Sequence, residues 1–369
     1  MKTGKIKPIC AALLCAVLMP FVLLAYAESV GERPSDVPSS KANVSSLTAE
    51  QHCERVTASV VDAGFGDEAS VTCDHEHAYI HSDSYPSHEM MTGIAGTNEQ
   101  IPTPAPGYFA PIKFDPSFSG TPQTRDSSVA VAVNGIPIFD YSSGGEMGVE
   151  ELYYHQPHLD TTLIQQLDIC GGHTGRGDDY HYHELPSCML EQMDNKDDNP
   201  IIAWAFDGFP MYGNNNPDGS AIGENDLDVC NGQLDDVFGY RYHTSEEQPY
   251  IIQCLVGEVG DLSTVPTISM DRPSGVPVLV ENLTFDHDGA GTGLMTYEHE
   301  GEDYYLKTAA TDNDSCFDIE WKTITNGGVV ESGEYCHTIR TGARTGGGMG
   351  GPPGDRGMGG PSGGGMGAR

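Results

Sequence analysis

Short runs of alternating apolar and polar residues, separated by Gly, Pro, Asn and Asp, fill the chain from about residue 71 to residue 263. Alternation with a period of two is typical of half-buried β-strands, and Gly, Pro and Asn favour the turns between them. Helical periodicity is scarce. Thr48 and Gln51 predict a capping box at the start of one short helix, and a second helical stretch falls between Gly148 and Leu167. The pattern therefore predicts a mainly β fold, β-rich within the α+β class.

Shifts in composition divide the chain into five predicted parts. Three lysines precede an apolar run from Ile9 to Leu24, and Ala25-Tyr26-Ala27 offers a cleavage site, which indicates a secretory signal. An uncleaved membrane anchor is the alternative, which Pro20 and the modest length of the run disfavour. We expect a secreted or periplasmic protein with no stable membrane insertion after signal removal. The parts are a signal peptide at 1–27, a linker at 28–45, a His-rich domain at 46–264, a small β module at 276–340 and a disordered Gly/Met-rich tail at 341–369.

The net charge is strongly negative, −36, from 54 acidic and 18 basic residues. Nucleic-acid binding rests on Lys and Arg side chains that neutralise phosphates, so this balance excludes nucleic acid as a partner. An acidic surface favours solubility, and it also suits cations such as calcium. Asp286-His287-Asp288-Gly289 and Asp312-Asn313-Asp314 are candidate calcium segments, although such clusters are more often turns.

Eight cysteines follow the two in the predicted signal, and they fall into four neighbouring couples. No Cys-x-x-Cys pair is present, and an exported protein meets oxidising surroundings, so disulfides are favoured over thiolate metal ligands. The simplest connectivity joins neighbours, and each bond would contribute roughly 3 kcal/mol by closing a loop of about 20 residues. The predicted bonds are Cys53–Cys73, Cys170–Cys188, Cys230–Cys254 and Cys316–Cys336.

Candidate chemistry is concentrated in Asp168-Ile169-Cys170-Gly171-Gly172-His173 and Tyr180-His181-Tyr182-His183. Side chains alternate between the faces of a strand, so both histidines of the second segment share one face and both tyrosines share the other. Two imidazoles two residues apart on a strand are able to chelate one metal ion. His173, on its Gly-Gly turn, is a candidate third ligand, and the flanking cysteines would staple the loop.

A weaker copy of this motif follows 60 residues later and suggests an internal pseudo-repeat. The copy begins at Asp228-Val229-Cys230 and continues with Tyr240-Arg241-Tyr242-His243. Gln233 stands where the first copy has His173, and Arg241 stands where it has His181. Two such hairpin-like units are expected to face each other and to build one site between them. The candidate metal ligands are then His173, His181, His183 and His243.

Three or four imidazoles without thiolates suit zinc, copper, iron or nickel better than calcium. An open coordination position would permit catalysis, whereas a filled tetrahedral shell would be structural. Between the copies, Asp207 is a candidate to orient a ligand histidine and Tyr212 is a candidate to act beside it, although Asp207-Gly208 also fits a turn. The alternative is a hydrogen-bonded polar core of Tyr and His that needs no metal.

With these residues the chain resembles the YHYH domain family of secreted, mostly bacterial proteins. The similarity spans about residues 85–257, and the family has a fuller histidine set in the second copy, from which Gln233 and Arg241 depart. The resemblance implies no established reaction. Its landmarks are Pro86-Ser87-His88, Asn134-Gly135-Ile136-Pro137, Cys170-Gly171-Gly172-His173, Tyr180-His181-Tyr182-His183, Asp207-Gly208-Phe209-Pro210-Met211-Tyr212-Gly213, Leu227-Asp228-Val229-Cys230-Asn231-Gly232 and Pro249-Tyr250.

We expect a metal-binding exported protein whose enzyme status is open and whose ligand is a small molecule or an extracellular polymer. A metal-dependent enzyme would need a tyrosine from outside the motif strand, such as Tyr212, Tyr240 or Tyr242. One alternative is an extracellular adhesion or matrix module without catalysis. Another is a metal-free Tyr/His polysaccharide-cleaving enzyme, which the absence of a basic patch disfavours. A second His-rich strand is predicted at 71–81, and the histidines whose part in the site stays open are His75, His77, His81, His88, His155 and His158.

Overall fold

A computed structural model describes residues 35–38, 47–223, 225–260, 266–273 and 275–340. The predicted signal peptide, the predicted linker apart from residues 35–38, and the predicted tail lie outside the described residues. In the part that is described, no helix is long and apolar enough to cross a membrane. Strands make up most of the regular structure, which confirms the predicted mainly β fold.

Helix α1 (Ala49–Asp62) begins at the predicted capping box. The Thr48 hydroxyl accepts the Gln51 N–H at 3.3 Å, and Gln51 Oε1 accepts the Thr48 N–H at 2.9 Å. These two bonds satisfy backbone donors that the first turn of a helix leaves without a partner. Val56 and Val60 bury the inner face of α1.

The other helical elements are short. Helix α2 (Ser187–Gln192) and the 3₁₀ helix Lys196–Asp198 follow the Tyr-His motif. The predicted helical stretch between Gly148 and Leu167 is wrong, because the structure has there only the 3₁₀ helix Glu151–Tyr153. The Asp160 carboxylate accepts the backbone N–H groups of Thr162 and Leu163, at 2.9 Å and 3.0 Å, and so stabilises a turn.

The strands are short in the first two thirds of the described chain and longer at its end. In chain order they are β1 (Ser70–Cys73), β2 (His77–Ser82), β3 (Gly96–Thr97), β4 (Tyr108–Lys113), β5 (Phe118–Gln123), β6 (Ala130–Ala132), β7 (Pro137–Ile138), β8 (Gly172–Thr174), β9 (Tyr180–Tyr182), β10 (Ala203–Ala205), β11 (Pro210–Tyr212), β12 (Gly232–Asp235), β13 (Gly239–His243), β14 (Leu255–Gly257), β15 (Thr267–Met270), β16 (Val278–Leu279), β17 (Glu281–His287), β18 (Gly293–His299), β19 (Glu302–Ala310), β20 (Cys316–Lys322) and β21 (Val330–Arg340).

An eight-stranded sheet carries both copies of the motif, in the order β12-β13-β11-β10-β6-β7-β9-β8. The order is symmetric about its central antiparallel pair, β10 and β6, whose residues are all buried. On each side of this pair comes a hairpin, then a parallel pairing, β7 with β9 or β11 with β13, and then the motif hairpin. The two copies of the motif therefore lie at opposite edges of one sheet.

Four further sheets surround this one. β1, β2 and β4 form a three-stranded sheet that α1 contacts, and β14 pairs with β5. The predicted single strand at 71–81 is wrong, because the Asp74 carboxylate accepts the N–H groups of Glu76 and His77 and turns the chain between β1 and β2. The remaining sheets are the pair of β16 with β3 and a six-stranded sheet in the order β15-β21-β20-β19-β18-β17.

Four disulfides join the neighbouring cysteines that the sequence predicts to pair. They are Cys53–Cys73, Cys170–Cys188, Cys230–Cys254 and Cys316–Cys336. Each copy of the motif begins at one of these cysteines, so a covalent bond closes each repeat soon after its hairpin.

Buried polar contacts connect the six-stranded sheet and its flanking residues to the loop before β9 and to the segment before β4. The guanidinium of Arg272 forms two bonds to the Asp178 carboxylate, at 2.7 Å and 2.9 Å. Glu99 accepts the Tyr297 hydroxyl at 2.5 Å and the backbone N–H of Ile324 at 2.7 Å. These contacts lie within one compact unit of the described chain. The division into a His-rich domain and a small β module stays a prediction.

Candidate metal centre

The hairpin of β8 and β9 carries the motif histidines at one edge of the eight-stranded sheet. In its antiparallel register His173 lies opposite His181. His183 follows β9, and its N–H donates to the carbonyl of Gly171 at 2.9 Å. Gly171 has φ +83°, and a Cβ at this position would lie 2.6 Å from the carbonyl oxygen of Leu185. This turn requires glycine, which explains the Gly-Gly pair before His173.

The three histidines of this hairpin face one another as the alternation predicts. Their ring centroids are 4.8 to 4.9 Å apart in every pair. One ring nitrogen from each of His173, His181 and His183 lies within 4.8 Å of the other two. The Nε2 atoms of His173 and His183 are 3.1 Å apart. All three side chains are buried, so three imidazole nitrogens meet at one point inside the protein.

Backbone carbonyl groups hold each ring from its other side. His183 Nδ1 donates to the carbonyl of Asp140, and His181 Nδ1 lies 3.3 Å from the carbonyl of Asp179. His173 has a backbone hydrogen bond with Gln166, which partly offsets the lowering of its pKa by burial. Since each ring uses one N–H in this way, its remaining nitrogen offers a lone pair to the centre of the cluster.

Burial keeps these rings neutral. Desolvation lowers the pKa of His183 to about 4. It also lowers the pKa of His173 well below 6.5, and the nearby His183 adds to the effect. The pKa of His181 is held well below 6.5 by desolvation and then by the other two rings. Protonation of these three rings is therefore unfavourable at neutral pH.

The cluster opens into a cavity of about 240 Å³. All three histidines line it, together with Phe139, whose ring stacks on His181 at a centroid distance of 4.1 Å. Asp179 also lines the cavity, with its carboxylate 3.8 Å from His181 Nδ1. The histidines thus form a wall of a cleft that a small molecule can enter, and not a closed polar core.

The two motif tyrosines point to the opposite face, as the alternation predicts. The Tyr180 hydroxyl donates to the Asp168 carboxylate at 2.9 Å. The Tyr182 hydroxyl lies 2.6 Å from His88 Nε2 and accepts an N–H from Asn134 at 3.0 Å. Neither hydroxyl is available to the histidine cluster, so a tyrosine of this motif is not placed to act there.

Asp168 organises the hairpin, a role that the sequence reasoning missed. Its carboxylate accepts the backbone N–H groups of Met91, Cys170 and Gly172 at 2.7, 2.9 and 3.2 Å. Burial raises the pKa of Asp168 to about 6 in spite of these bonds. The available signal was the exact recurrence of the aspartate at position 228, in the same place relative to the following cysteine and tyrosine.

The second hairpin, β12 with β13, is not part of this cluster. His243 lies at the other edge of the sheet, where its Nε2 faces Gln233 Nε2 at 3.1 Å and its Nδ1 donates to the carbonyl of Gly213 at 3.0 Å. Arg241 lies opposite Gln233 in the register. The expected single site between facing copies is therefore wrong, because the central pair β10–β6 separates the hairpins and His243 does not join the other three histidines.

Asp207 and Tyr212 lie beside the second hairpin and contact its residues. The Asp207 carboxylate accepts the Tyr242 hydroxyl at 2.6 Å and the Gly257 N–H at 2.9 Å, and it makes no contact with a histidine of the cluster. Burial raises the pKa of Asp207 to about 6. The Tyr212 ring packs against His243 with a centroid distance of 6.1 Å. The expectation that Asp207 orients a ligand histidine is thus corrected: it orients a tyrosine.

The remaining histidines of interest lie outside the cluster. His88 bonds to Tyr182 on the tyrosine face, and His155 Nε2 bonds to the Asp160 carboxylate at 2.6 Å. His81 Nε2 bonds to the Thr72 hydroxyl at 2.7 Å in the three-stranded sheet. His158 and His75 are exposed, and His77 is half-buried beside Tyr79.

Two other groups of metal-binding residue types occur among the described residues, and disulfides account for both. One combines His88 with Cys170 and Cys188, and the other combines Glu334 with Cys316 and Cys336. Their sulfur atoms are bonded to each other and are not thiolates. In the candidate calcium segment, Asp288 Oδ1 accepts the N–H groups of Ala290 and Thr292, so that carboxylate serves the β17–β18 turn.

A protein-family model described as YHYH protein matches residues 110–222. This match confirms the resemblance over that segment, which contains the first hairpin with all three clustered histidines. The second hairpin begins after the matched segment. A search of curated proteins and a search of solved structures each found no match.

Proposed function

We propose that this chain is an exported protein that binds one transition-metal ion through His173, His181 and His183. The observation that carries the proposal is the direction of the ring nitrogens: each ring gives an N–H to a backbone carbonyl and turns its other nitrogen to a common point. In the tautomers that these carbonyl contacts favour, the Nε2 lone pairs of His173 and His183 face each other at 3.1 Å, and a bound cation would relieve their repulsion. Metal-bound histidines are typically oriented by such carbonyl contacts.

The donor set favours zinc, copper or iron. Imidazole nitrogens suit these ions, whereas calcium and magnesium prefer six or more oxygen ligands. Three protein ligands leave a further coordination position, which is typical of catalytic sites and not of structural ones. In this proposal that position faces the cavity, so a small molecule could reach the ion.

A metal-dependent enzyme is the finer form of the proposal. A bound ion would supply Lewis-acid chemistry to a ligand in the cavity. The chain itself would contribute a dry, shaped wall: Phe139 fixes the plane of His181 by stacking, and the carbonyl of Asp179 fixes its rotation. Tyrosine hydroxyls of the motif lie on the other face, which disfavours a metal-free Tyr/His acid–base pair.

Export is supported by covalent chemistry. Four disulfides are stable in oxidising compartments and rare in reducing ones. The predicted signal peptide agrees with them. An adhesion or matrix module without catalysis remains the second candidate, because the long strands β17 to β21 form a sheet that carries no histidine cluster within the described residues.

The test is the metal content of the mature protein, purified without a His-tag or chelator and measured by mass spectrometry. We expect about one equivalent of a transition metal in the wild type and none in His181→Ala/His183→Ala. His243→Ala is the matched control, since it removes a buried histidine of the second hairpin and should keep the metal. A wild type without metal, or a double variant that folds and keeps it, contradicts the proposal.

A further inference from the structure

The cavity beside the histidine cluster is built from three separate segments of the chain. One wall is the YHYH-matched segment, with the histidines, Phe139 and Gln166. Gln100 comes from the segment before the match. Residues 266–268, 275 and 277, at the start of the C-terminal part, close the third side. The candidate metal ligands thus share one segment with Phe139 and Gln166, and the other two walls come from outside it.

Three buried side chains in this lining hold polar atoms with no hydrogen-bond partner among the described residues. They are Nε2 of Gln100, a side chain 2 % exposed, Oε1 of Gln166, a side chain 4 % exposed, and the hydroxyl of Tyr108, a side chain 1 % exposed. A buried polar group without a partner costs free energy, so such atoms are rare in proteins unless something else satisfies them. The Gln100 nitrogen is a donor, the Gln166 oxygen is an acceptor, and the Tyr108 hydroxyl serves as either.

The orientation of Gln100 is determined by its neighbours. Its Oε1 accepts an N–H from Arg272 at 2.7 Å, which leaves the amide nitrogen as the atom without a partner. Arg272 is itself held by two bonds to Asp178, the residue before Asp179 in the loop that leads to β9. The donor at Gln100 is therefore held in place by a buried ion pair.

We infer that this cavity binds a small, uncharged organic molecule with an amide-like combination of a hydrogen-bond acceptor and donor. The acceptor would take the Gln100 N–H, and the donor would give its proton to Gln166 Oε1. The inference rests on the proposed function in taking this cavity as the one that serves the metal. Pro137, Phe139 and Ile268 provide apolar surface for the remainder of the molecule.

The charges at the cavity favour a neutral ligand. One exposed aspartate, Asp126, and one exposed arginine, Arg176, line it. Two neutral amide side chains are matched by a neutral amide, because recognition of an ion would leave one of them unsatisfied.

The experiment compares three probes of nearly equal shape by calorimetric titration of the mature protein. Benzamide has both an acceptor and a donor, acetophenone has the acceptor alone, and benzoate is an anion with acceptors alone. We expect benzamide to bind about tenfold more tightly than either of the others. Equal affinity for the three probes, or tighter binding of benzoate, overturns the inference.

Three variants locate the contacts. Gln166→Leu removes the free acceptor, and Gln100→Glu replaces the free donor with an acceptor while keeping the oxygen that Arg272 binds. Each variant should weaken benzamide binding about tenfold. The affinity for acetophenone should stay unchanged in Gln166→Leu. Thr308→Val is the control, because it removes a buried hydroxyl without a partner that lies outside the cavity lining. Unchanged benzamide affinity in both glutamine variants overturns the inference.

Metal content measured on the same samples separates the two proposals. Metal in the wild type without a preference for benzamide would leave the metal site standing and remove the ligand assignment. A preference for benzamide that depends on Gln100 and Gln166, in protein without metal, would do the reverse.

Discussion

The hairpins β8–β9 and β12–β13 share one scaffold and differ at one face. In each, an aspartate accepts two backbone N–H groups, at 2.9 Å and 3.2 Å, and a tyrosine hydroxyl at 2.9 Å. In each, Nδ1 of the last histidine donates to a backbone carbonyl beside the hairpin. The tyrosine side of the repeat is therefore kept, and the differences are confined to the histidine side.

The difference lies in what faces the last histidine. In both hairpins a side-chain nitrogen lies 3.1 Å from its Nε2. In the second hairpin that atom is Gln233 Nε2, which carries protons and donates one. In the first it is His173 Nε2, which has a lone pair to offer. Arg241, 1 % exposed, takes the register position of His181 and brings a permanent positive charge.

The same backbone arrangement thus holds a buried cationic side chain in one hairpin and three neutral imidazoles in the other. Arg241 bonds to Asp235 at 2.7 Å and to Asn216, so the second hairpin contains its own cation with partners. The first hairpin offers three nitrogen acceptors and no cation of its own. The account therefore predicts that the first hairpin takes a cation from solution and that the second does not.

Converting the second hairpin into the first should have the largest effect. Gln233→His/Arg241→His would place three imidazoles at the positions of the first cluster and remove the guanidinium. We expect the metal content to rise from about one to about two equivalents. Gln233→His alone should stay at one, because Arg241 still occupies the centre. A double variant that folds and still binds one equivalent would break the comparison.

Acid should affect the first hairpin more than the second. The pKa of His183 and of His243 is lowered to about 4, and His173 and His181 are lowered as well. An unfolded chain takes up these protons near pH 6.5 while the folded rings stay neutral, so protonation favours the unfolded state below that pH. The stabilisation falls as the pH drops from 6.5 toward 4, by up to about 3 kcal/mol for His183.

Urea unfolding in the presence of chelator, between pH 7 and pH 4, measures this dependence. Replacing the three rings of the first hairpin by glutamine should flatten the dependence far more than His243→Gln does. Equal slopes for the two variants would show that the rings of the first cluster are not buried as neutral imidazoles.

Removing either disulfide should cost about the same stability. Cys170–Cys188 and Cys230–Cys254 close loops with sequence separations of 18 and 24 residues. Replacing each pair by alanines should therefore cost about 3 kcal/mol in the free energy of unfolding. Only the first replacement should weaken metal binding, because Cys170 begins the turn that positions His173. Equal metal affinity in both variants would contradict this link.

Substituting the two equivalent aspartates, Asp168 and Asp228, should give the smallest difference in the free energy of unfolding. Asp168 accepts one N–H more than Asp228 does, from Met91. Asp168→Asn should cost about 1–2 kcal/mol, and Asp228→Asn should cost less than about 1 kcal/mol. Thermal unfolding of the two variants at one pH measures both effects. The reverse order would mean that the Met91 contact does not stabilise the first hairpin.

The sequence predicted what local pattern and short loops control. Alternation along Tyr180–His183 gave the two faces of the strand, and spacing gave the four disulfides between neighbours. It did not predict that His243 lies far from the cluster, because the order of strands depends on the pairing of β6 with β10 in the middle of the sheet. Asn134-Gly135 and Asp207-Gly208 also correspond, since each contacts the second tyrosine of its motif. Their offset differs from 60 residues, so a single shift of the sequence does not align them.

The most direct test is a crystal structure of the mature, untagged protein with anomalous diffraction recorded at the absorption edge of the metal found by mass spectrometry. The account predicts one peak, about 2.0–2.2 Å from one nitrogen of each of His173, His181 and His183, and none beside Arg241. A peak at the second hairpin, or a metal bound elsewhere while the three rings stay without one, would contradict it.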